Sequence, residues 1–189
     1  MTIPAEIRTE RLILRPWRAE DAAEMRPILE ANWAHLSPWI PARVATPAPI
    51  GELADRLADF GAQFAANREW RYGMFALDDQ RMLGEVSLFP RAAQGRVPFD
   101  ESDRAEIGYW LREDDTGRGL VTEAVRAVFD AACAIERFSL IEIRCDARNT
   151  ASAAVPRRLG FVLDATIDEG GEPPVQLQVW VTRLRSSAG

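Results

Sequence analysis

The residues best placed to do chemistry in this chain are Gly117-Arg118-Gly119, which separate a strand-like apolar run beginning at Glu106 from a helical segment beginning near Leu120. In that segment Val121, Ala124, Val125, Val128, Phe129 and Ala132 share one face at 3–4 residue spacing. Strand, glycine turn and helix together make a place to hold an anion. Glycine gives the turn its backbone freedom and allows close approach. The first N–H groups of a helix have no partner within it, and the macrodipole adds positive potential there. A pyrophosphate fits such a site. A Gly-x-Gly before a helix is also met as a plain strand-to-helix turn, and the Lys-Ser/Thr pair of a P-loop is missing here.

A second chemical segment runs from Asn149 through Ser152 and Pro156 to Gly160-Phe161, after the strand-like Leu140–Asp146. Asn149 suits a helix cap and Ser152 the first turn. A hydroxyl at Ser152 is equally suited to donating a hydrogen bond or relaying a proton. Pro156 has no N–H. If the helix starts near Thr150, the Ser152 carbonyl therefore lacks its helical donor and needs another partner, a cofactor or water. The third segment is Thr9-Glu-Arg-Leu-Ile-Leu-Arg-Pro-Trp17, followed by Glu20-Asp21.

Absent residue types narrow the reactions. All 23 basic residues are Arg, which closes Schiff-base and Lys-nucleophile routes. His35 is the only histidine, too little for a His metal cluster, and a catalytic triad would need His35 itself. No metal is expected. Proton transfer falls to carboxylates, hydroxyls, water or that one imidazole. Cys133 and Cys145 are too few for a disulfide framework and read as small core residues. A net charge of −6 argues against nucleic acid and suits a cationic acceptor such as an amine. No apolar run is long enough to span a membrane, and the first residues lack the pattern of a secretory signal, so a cytoplasmic protein is expected, as monomer or homodimer.

These residues must be positioned by a mixed α/β or α+β arrangement without internal repeats. Strands are expected at Arg11–Trp17, Trp70–Leu77, Met82–Phe89, from Glu106, at Leu140–Asp146, Phe161–Thr166 and Val175–Leu184. A turn is expected at Asp78-Asp79-Gln80. Helices are expected at Ala19–Asn32, Glu52–Asn67, about 120–136 and 150–159, and loops at Asn32–Pro41, Thr46–Pro49 and Pro90–Arg104. Gly108 inside a strand marks a bulge, a close ligand approach or a packing gap near Trp110. Asp115 or Thr116 is a candidate cap for the helix after the glycine turn. Trp17 reads as core.

In order and spacing, the three segments resemble the GNAT superfamily of acyl-coenzyme A N-acyltransferases, nearest its RimJ/RimL-type branch, which acetylates protein N-termini and small amines. The likeness covers nearly the whole chain. It implies one domain over 1–189, with about four helices around a seven-stranded, mostly antiparallel sheet splayed between its fourth and fifth strands. It implies an N-acetyltransferase with acetyl-coenzyme A as cosubstrate and a primary amine, a peptide N-terminus or a small molecule, attacking the thioester directly. The matching cofactor positions are Trp110, Leu111 and Arg112 on the strand, Thr116, Gly117, Arg118, Gly119 and Leu120 at the turn, and Asn149 and Ser152. Catalytic candidates are Ser152 as donor to the leaving thiolate and Glu106 as base. Trp33, His35, Trp39 and Glu85 stand on the acceptor side, Glu85 being also a rival base. Two positions depart from the family pattern. Asp114 stands where Gln or Arg is usual, and Pro156 where many members carry Tyr. Both departures leave open a non-catalytic acyl-coenzyme A binder or sensor on the same scaffold.

Overall fold

In a computed structural model of the chain, residues 3–77, 81–170 and 174–184 are described. They form strands β1 (Ile7–Arg8), β2 (Leu12–Pro16), β3 (Trp70–Ala76), β4 (Met82–Ala92), β5 (Gly95–Arg96), β6 (Arg104–Leu111), β7 (Leu140–Asp146), β8 (Val162–Asp168) and β9 (Gln176–Arg183). The α-helices are α1 (Ala22–Ala31), α2 (Trp33–Leu36), α3 (Ala42–Ala45), α4 (Ile50–Ala65), α5 (Leu120–Cys133) and α6 (Thr150–Arg158). The sheet order is β1-β2-β3-β4-β6-β7-β9-β8, with β5 folding back on β4. With the two-residue strands and single-turn helices set aside, this is the seven-stranded, four-helix arrangement the sequence implies. The expected turn at Asp78-Asp79-Gln80 lies outside the described residues.

Period-two alternation sorts each central strand between two cores. Leu12, Leu14, Met74, Val86, Leu88, Ile107, Ile141 and Ile143 pack with the apolar stripe of α5 and with Ala153 and Val155 of α6. Ile13, Trp17, Phe75, Met82 and Trp110 pack on the other face with Met25 and Leu29 of α1 and Leu53 and Leu57 of α4. Two expected loops contain structure. Asn32–Pro41 holds α2, and Pro90–Arg104 holds the end of β4, β5 and the short 3-10 turn Phe99–Glu101. Of the two cysteines expected in the core, Cys145 is buried and Cys133 is exposed.

The feature that makes the site is a parting of β6 from β7. Among the described residues these two strands are the one parallel pair, in register from Arg104↔Leu140 to Ile107↔Ile143. Beyond Ile143, β7 stays with β9 as far as Asp146↔Leu177. Meanwhile β6 stays with β4 as far as Leu111↔Gly84. The sheet therefore opens past Ile107, with backbone groups of both strands unpaired along the gap. Gly108 is not a bulge, because it holds its β4 register opposite Ser87, and a Cβ there would meet only Phe89 at 3.4 Å. The close approach lies one strand over. A Cβ on Gly84 would run into the Trp110 carbonyl, so glycine on β4 is what lets β6 sit there.

Candidate active site

At the mouth of the opening lies the glycine turn. Gly117 and Gly119 adopt φ of 73° and 77°, left-handed backbone that costs other L-residues energy. Gly119 is the N-cap of α5, with no side chain capping it. Neither expected cap fills the place. Thr116 Oγ1 donates to the Glu113 carbonyl, and buried Asp115 faces arginines. Among the described residues, no acceptor is bonded to the amides from Gly117 through Thr122. Their donors and the helix dipole stand open to an anion.

The turn is braced from behind. Glu123 accepts from Thr9 Oγ1 (2.6 Å), the Arg11 amide (2.9 Å) and Arg11 Nε (2.7 Å), and Arg11 Nη1 donates to the Arg118 carbonyl (2.9 Å). Burial alone raises the Glu123 carboxyl, but these bonds outweigh it and hold the pKa below its ordinary value. Asp115 takes Arg81 (2.7 Å) and Arg118 (2.9 Å), so its charge is neutralised rather than directed at the turn. Asp114 lines a separate depression with Asn32 and Arg112. The exposed Arg126 and Arg158 border the groove that adjoins Gly117 and Gly119.

From the turn, a cleft of about 240 Å³ runs into the gap between β6 and β7. One wall is α2 and the residues after it, with His35, Leu36, Trp39 and Ile40. The floor is Tyr109, Trp110 and Leu111. The far wall is the start of α6, with Asn149 and Ser152. Asn149 caps α6 by accepting from the Ser152 amide (2.9 Å).

The partner of the Ser152 carbonyl, left without a helical donor by Pro156, is Tyr109. Its hydroxyl donates to that carbonyl at 2.9 Å and accepts from Ser152 Oγ at 3.2 Å. Burial raises the Tyr109 phenol well above its ordinary pKa, with the Ser152 hydrogen bond opposing, so it remains a protonated donor. The Cys145 thiol also meets Ser152, and burial raises it too. Tyr109 is the site residue that sequence reasoning missed. The available signal was the orphaned carbonyl four residues before Pro156.

Of the residues singled out from sequence, Trp110, Leu111, Thr116, Gly117, Gly119, Leu120, Asn149, Ser152, His35 and Trp39 line this cleft. Arg118 lies in the adjoining groove. Four do not line it. The Arg112 amide bonds the Leu83 carbonyl and its guanidinium the Met82 carbonyl, on the far side of β6. Trp33 projects to solvent, 41% exposed. Glu85, 5% exposed, accepts from Trp17 Nε1 (2.7 Å), Ser87 Oγ (2.8 Å) and Arg71 (3.1 Å). Glu106, 8% exposed, gives one oxygen to Arg91 (2.8 Å) and the other to Arg96 (2.6 Å). Glu106 and Trp110 share a strand face, and Arg91 also pairs with Glu142 on β7. Both carboxylates are thus structural partners of arginine. Neither is a base facing the cleft, because neither lines it and the oxygens of each are taken up by buried hydrogen bonds and arginine pairs.

An open sheet parted between two central strands, an uncapped glycine turn at a helix start and a hydroxyl pair in the gap define an acyl-transfer scaffold. Residues 11–162 match the Acetyltransferase (GNAT) domain, and the chain belongs to that acetyltransferase family. It is 27% identical over 155 residues to Probable N-acetyltransferase YjcK of Bacillus subtilis (strain 168), covering 82% of each chain. Among solved structures it resembles the ribosomal L7/L12 alpha-N-protein acetyltransferase RimL in complex with coenzyme A, with TM-score 0.79 and 19% identity over 99% of this chain and 100% of that one. It also resembles the microcin C7 self-immunity acetyltransferase MccE in complex with acetyl-CoA and AMP, with TM-score 0.80 and 18% identity over 95% and 97%. Among the described residues no helix is long and apolar enough to cross a membrane.

Proposed function

We propose that the chain, acting as one unit over 1–189, transfers the acetyl group of acetyl-coenzyme A to a primary amine, and that the amine is a protein or peptide N-terminus. The observation that carries this reading is the continuity of the cleft. It begins at the open amides of Gly117–Thr122 and ends at the Tyr109–Ser152 hydroxyl pair. The pyrophosphate belongs at the turn, with Arg118, Arg126 and Arg158 beside it. The pantetheine arm belongs in the gap, where β6 backbone groups at Gly108–Leu111 lack β7 partners. The coenzyme A and acetyl-CoA held by RimL and MccE support acetyl-coenzyme A as the cosubstrate, and the α-N-protein substrate of RimL supports a peptide acceptor.

The chemistry asks little more of the protein. The neutral amine attacks the thioester carbonyl, and the tetrahedral adduct expels the thiolate. In this reading the Ser152 hydroxyl turns from Tyr109 to the sulfur as charge develops while Tyr109 stays on the Ser152 carbonyl, and a proton from the adduct's nitrogen ends on the thiol. Asp114, the departure that left a sensor reading open, does not line the cleft but a separate depression with Asn32 and Arg112. The test is release of free thiol when acetyl-coenzyme A is mixed with peptides bearing free N-termini. Thiol release that depends on the peptide, with acetyl recovered on its α-amine, is the expected result. Binding of coenzyme A without any release across the panel refutes transfer and leaves the sensor.

A further inference from the structure

An amine acceptor reaches a protein largely as its ammonium ion, and a proton must leave before nitrogen can attack. Among the described residues, no Asp or Glu lines the cleft that holds Tyr109 and Ser152. The two carboxylates that sequence placed nearby are locked to Arg71, Arg91 and Arg96. The titratable groups that do line it are His35, Tyr109 and Arg158. Tyr109 is held protonated by burial, and a guanidinium does not give up its proton at working pH. Imidazole is the one side chain whose ordinary pKa lets it accept a proton near neutrality and release it again.

We propose that His35 is the catalytic base, taking the proton from the acceptor ammonium directly or through one water. The inference rests on the acetyltransfer reading above and names a role in it. His35 stands on α2 and lines the same cleft as the hydroxyl pair. Among the described residues its imidazole has no hydrogen-bond partner, so both nitrogens are available to the acceptor or a water. The wall it shares with Leu36, Trp39 and Ile40 is otherwise apolar and offers no competing side-chain proton acceptor. Charged groups on neighbouring elements are already engaged. On α1, packed against α2, Glu24 accepts from the Met82 amide and Arg26 pairs with Glu30. On β6 and α6 the groups turned to the cleft are Tyr109 and Arg158.

Protons balance simply. The ammonium gives one proton to His35, which passes it to solvent. The neutral amine forms the C–N bond as the C–S bond breaks, and its second proton goes to the departing sulfur. Amide, thiol and one free proton result.

The test compares wild type with His35→Gln, using acetyl-coenzyme A and a hexapeptide with a free N-terminal serine, from pH 6 to pH 9.5. At pH 6–7 the variant should lose roughly tenfold to a hundredfold in kcat/KM for the peptide. The loss should shrink toward pH 9.5, because an α-amine with an ordinary pKa of about 8 is by then neutral without help. Affinity for coenzyme A, by calorimetry, should be unchanged, which also shows that the variant is folded. A deficit of constant size across the pH range, carried in KM, makes His35 a binding residue and overturns the proposal. So does a variant with wild-type rate at pH 6–7. If the wild type itself transfers no acetyl group, the acetyltransfer reading fails and this one with it.

Discussion

Replacing Tyr109 by Phe removes one oxygen atom, and the structure says what that should cost and how to restore it. The Tyr109 hydroxyl donates to the Ser152 carbonyl at 2.9 Å. Inside α6 that carbonyl would ordinarily take the amide of residue 156, but Pro156 has none. Without the phenol, a part-buried acceptor loses the donor that stands in for the missing amide. Leaving such a group unsatisfied costs about 1–3 kcal/mol, and part-burial places this case near the lower end. About 1 kcal/mol corresponds to a fall in Tm of about 2–4 °C for a chain of this size. In the Pro156→Ala background the new amide can bond the Ser152 carbonyl, and the Tyr109→Phe penalty should nearly vanish. Denaturant unfolding of the four proteins should therefore give a coupling of about 1 kcal/mol. Additivity to within about 0.5 kcal/mol would refute the claim that the phenol replaces the missing helix bond. Ser152→Ala makes the contrast. It leaves the carbonyl bonded, so Tm should hold, while kcat should fall about tenfold to a hundredfold if the hydroxyl pair serves the leaving thiolate.

Gly119→Asp and Gly119→Asn both force a side chain onto φ of 77°, and only the first adds charge. Calorimetry should show coenzyme A bound roughly tenfold more weakly by the Asp variant than by the Asn variant. Equal affinities place the phosphates elsewhere. Glu123 has a folded pKa below its unfolded value, so the stability it contributes is present above the ordinary carboxylate range and lost as pH falls through the folded pKa. Glu123→Gln should therefore be less stable than wild type at pH 7, with the gap closing below about pH 4. A gap that persists into acid would mean that the brace is not electrostatic.

Much of the scaffold was legible because its cues are local. Leu140–Asp146 was read at its observed limits, since a short apolar run bounded by polar residues has few alternatives. The stripe from Leu120 to Ala132 marks α5 because only a helix brings those residues onto one face. The glycine turn was legible because positive φ selects glycine. The sequence offers only a loop where α2 forms and no element where α3 forms, since single turns next to proline carry no period of their own.

The partners of the side chains are another matter. Alternation along β6 told that Glu106 and Tyr109 point to opposite faces, but not what each face meets. Arg91 and Arg96 come from the β4–β5 hairpin, read as polar loop, and they take Glu106 out of the chemistry. Tyr109 and Ser152 lie 43 residues apart and meet because β6 and β7 part just beyond Ile107. By itself the sequence determined the seven longer strands and four longer helices, the glycine turn before α5, and that the Ser152 carbonyl needed a donor. Tertiary structure decided which donor answers it and which carboxylates are spent on arginine. The reason is physical: periodicity and turn chemistry act over a few residues, whereas ion pairs and hydrogen bonds across a sheet depend on register, which the whole fold sets.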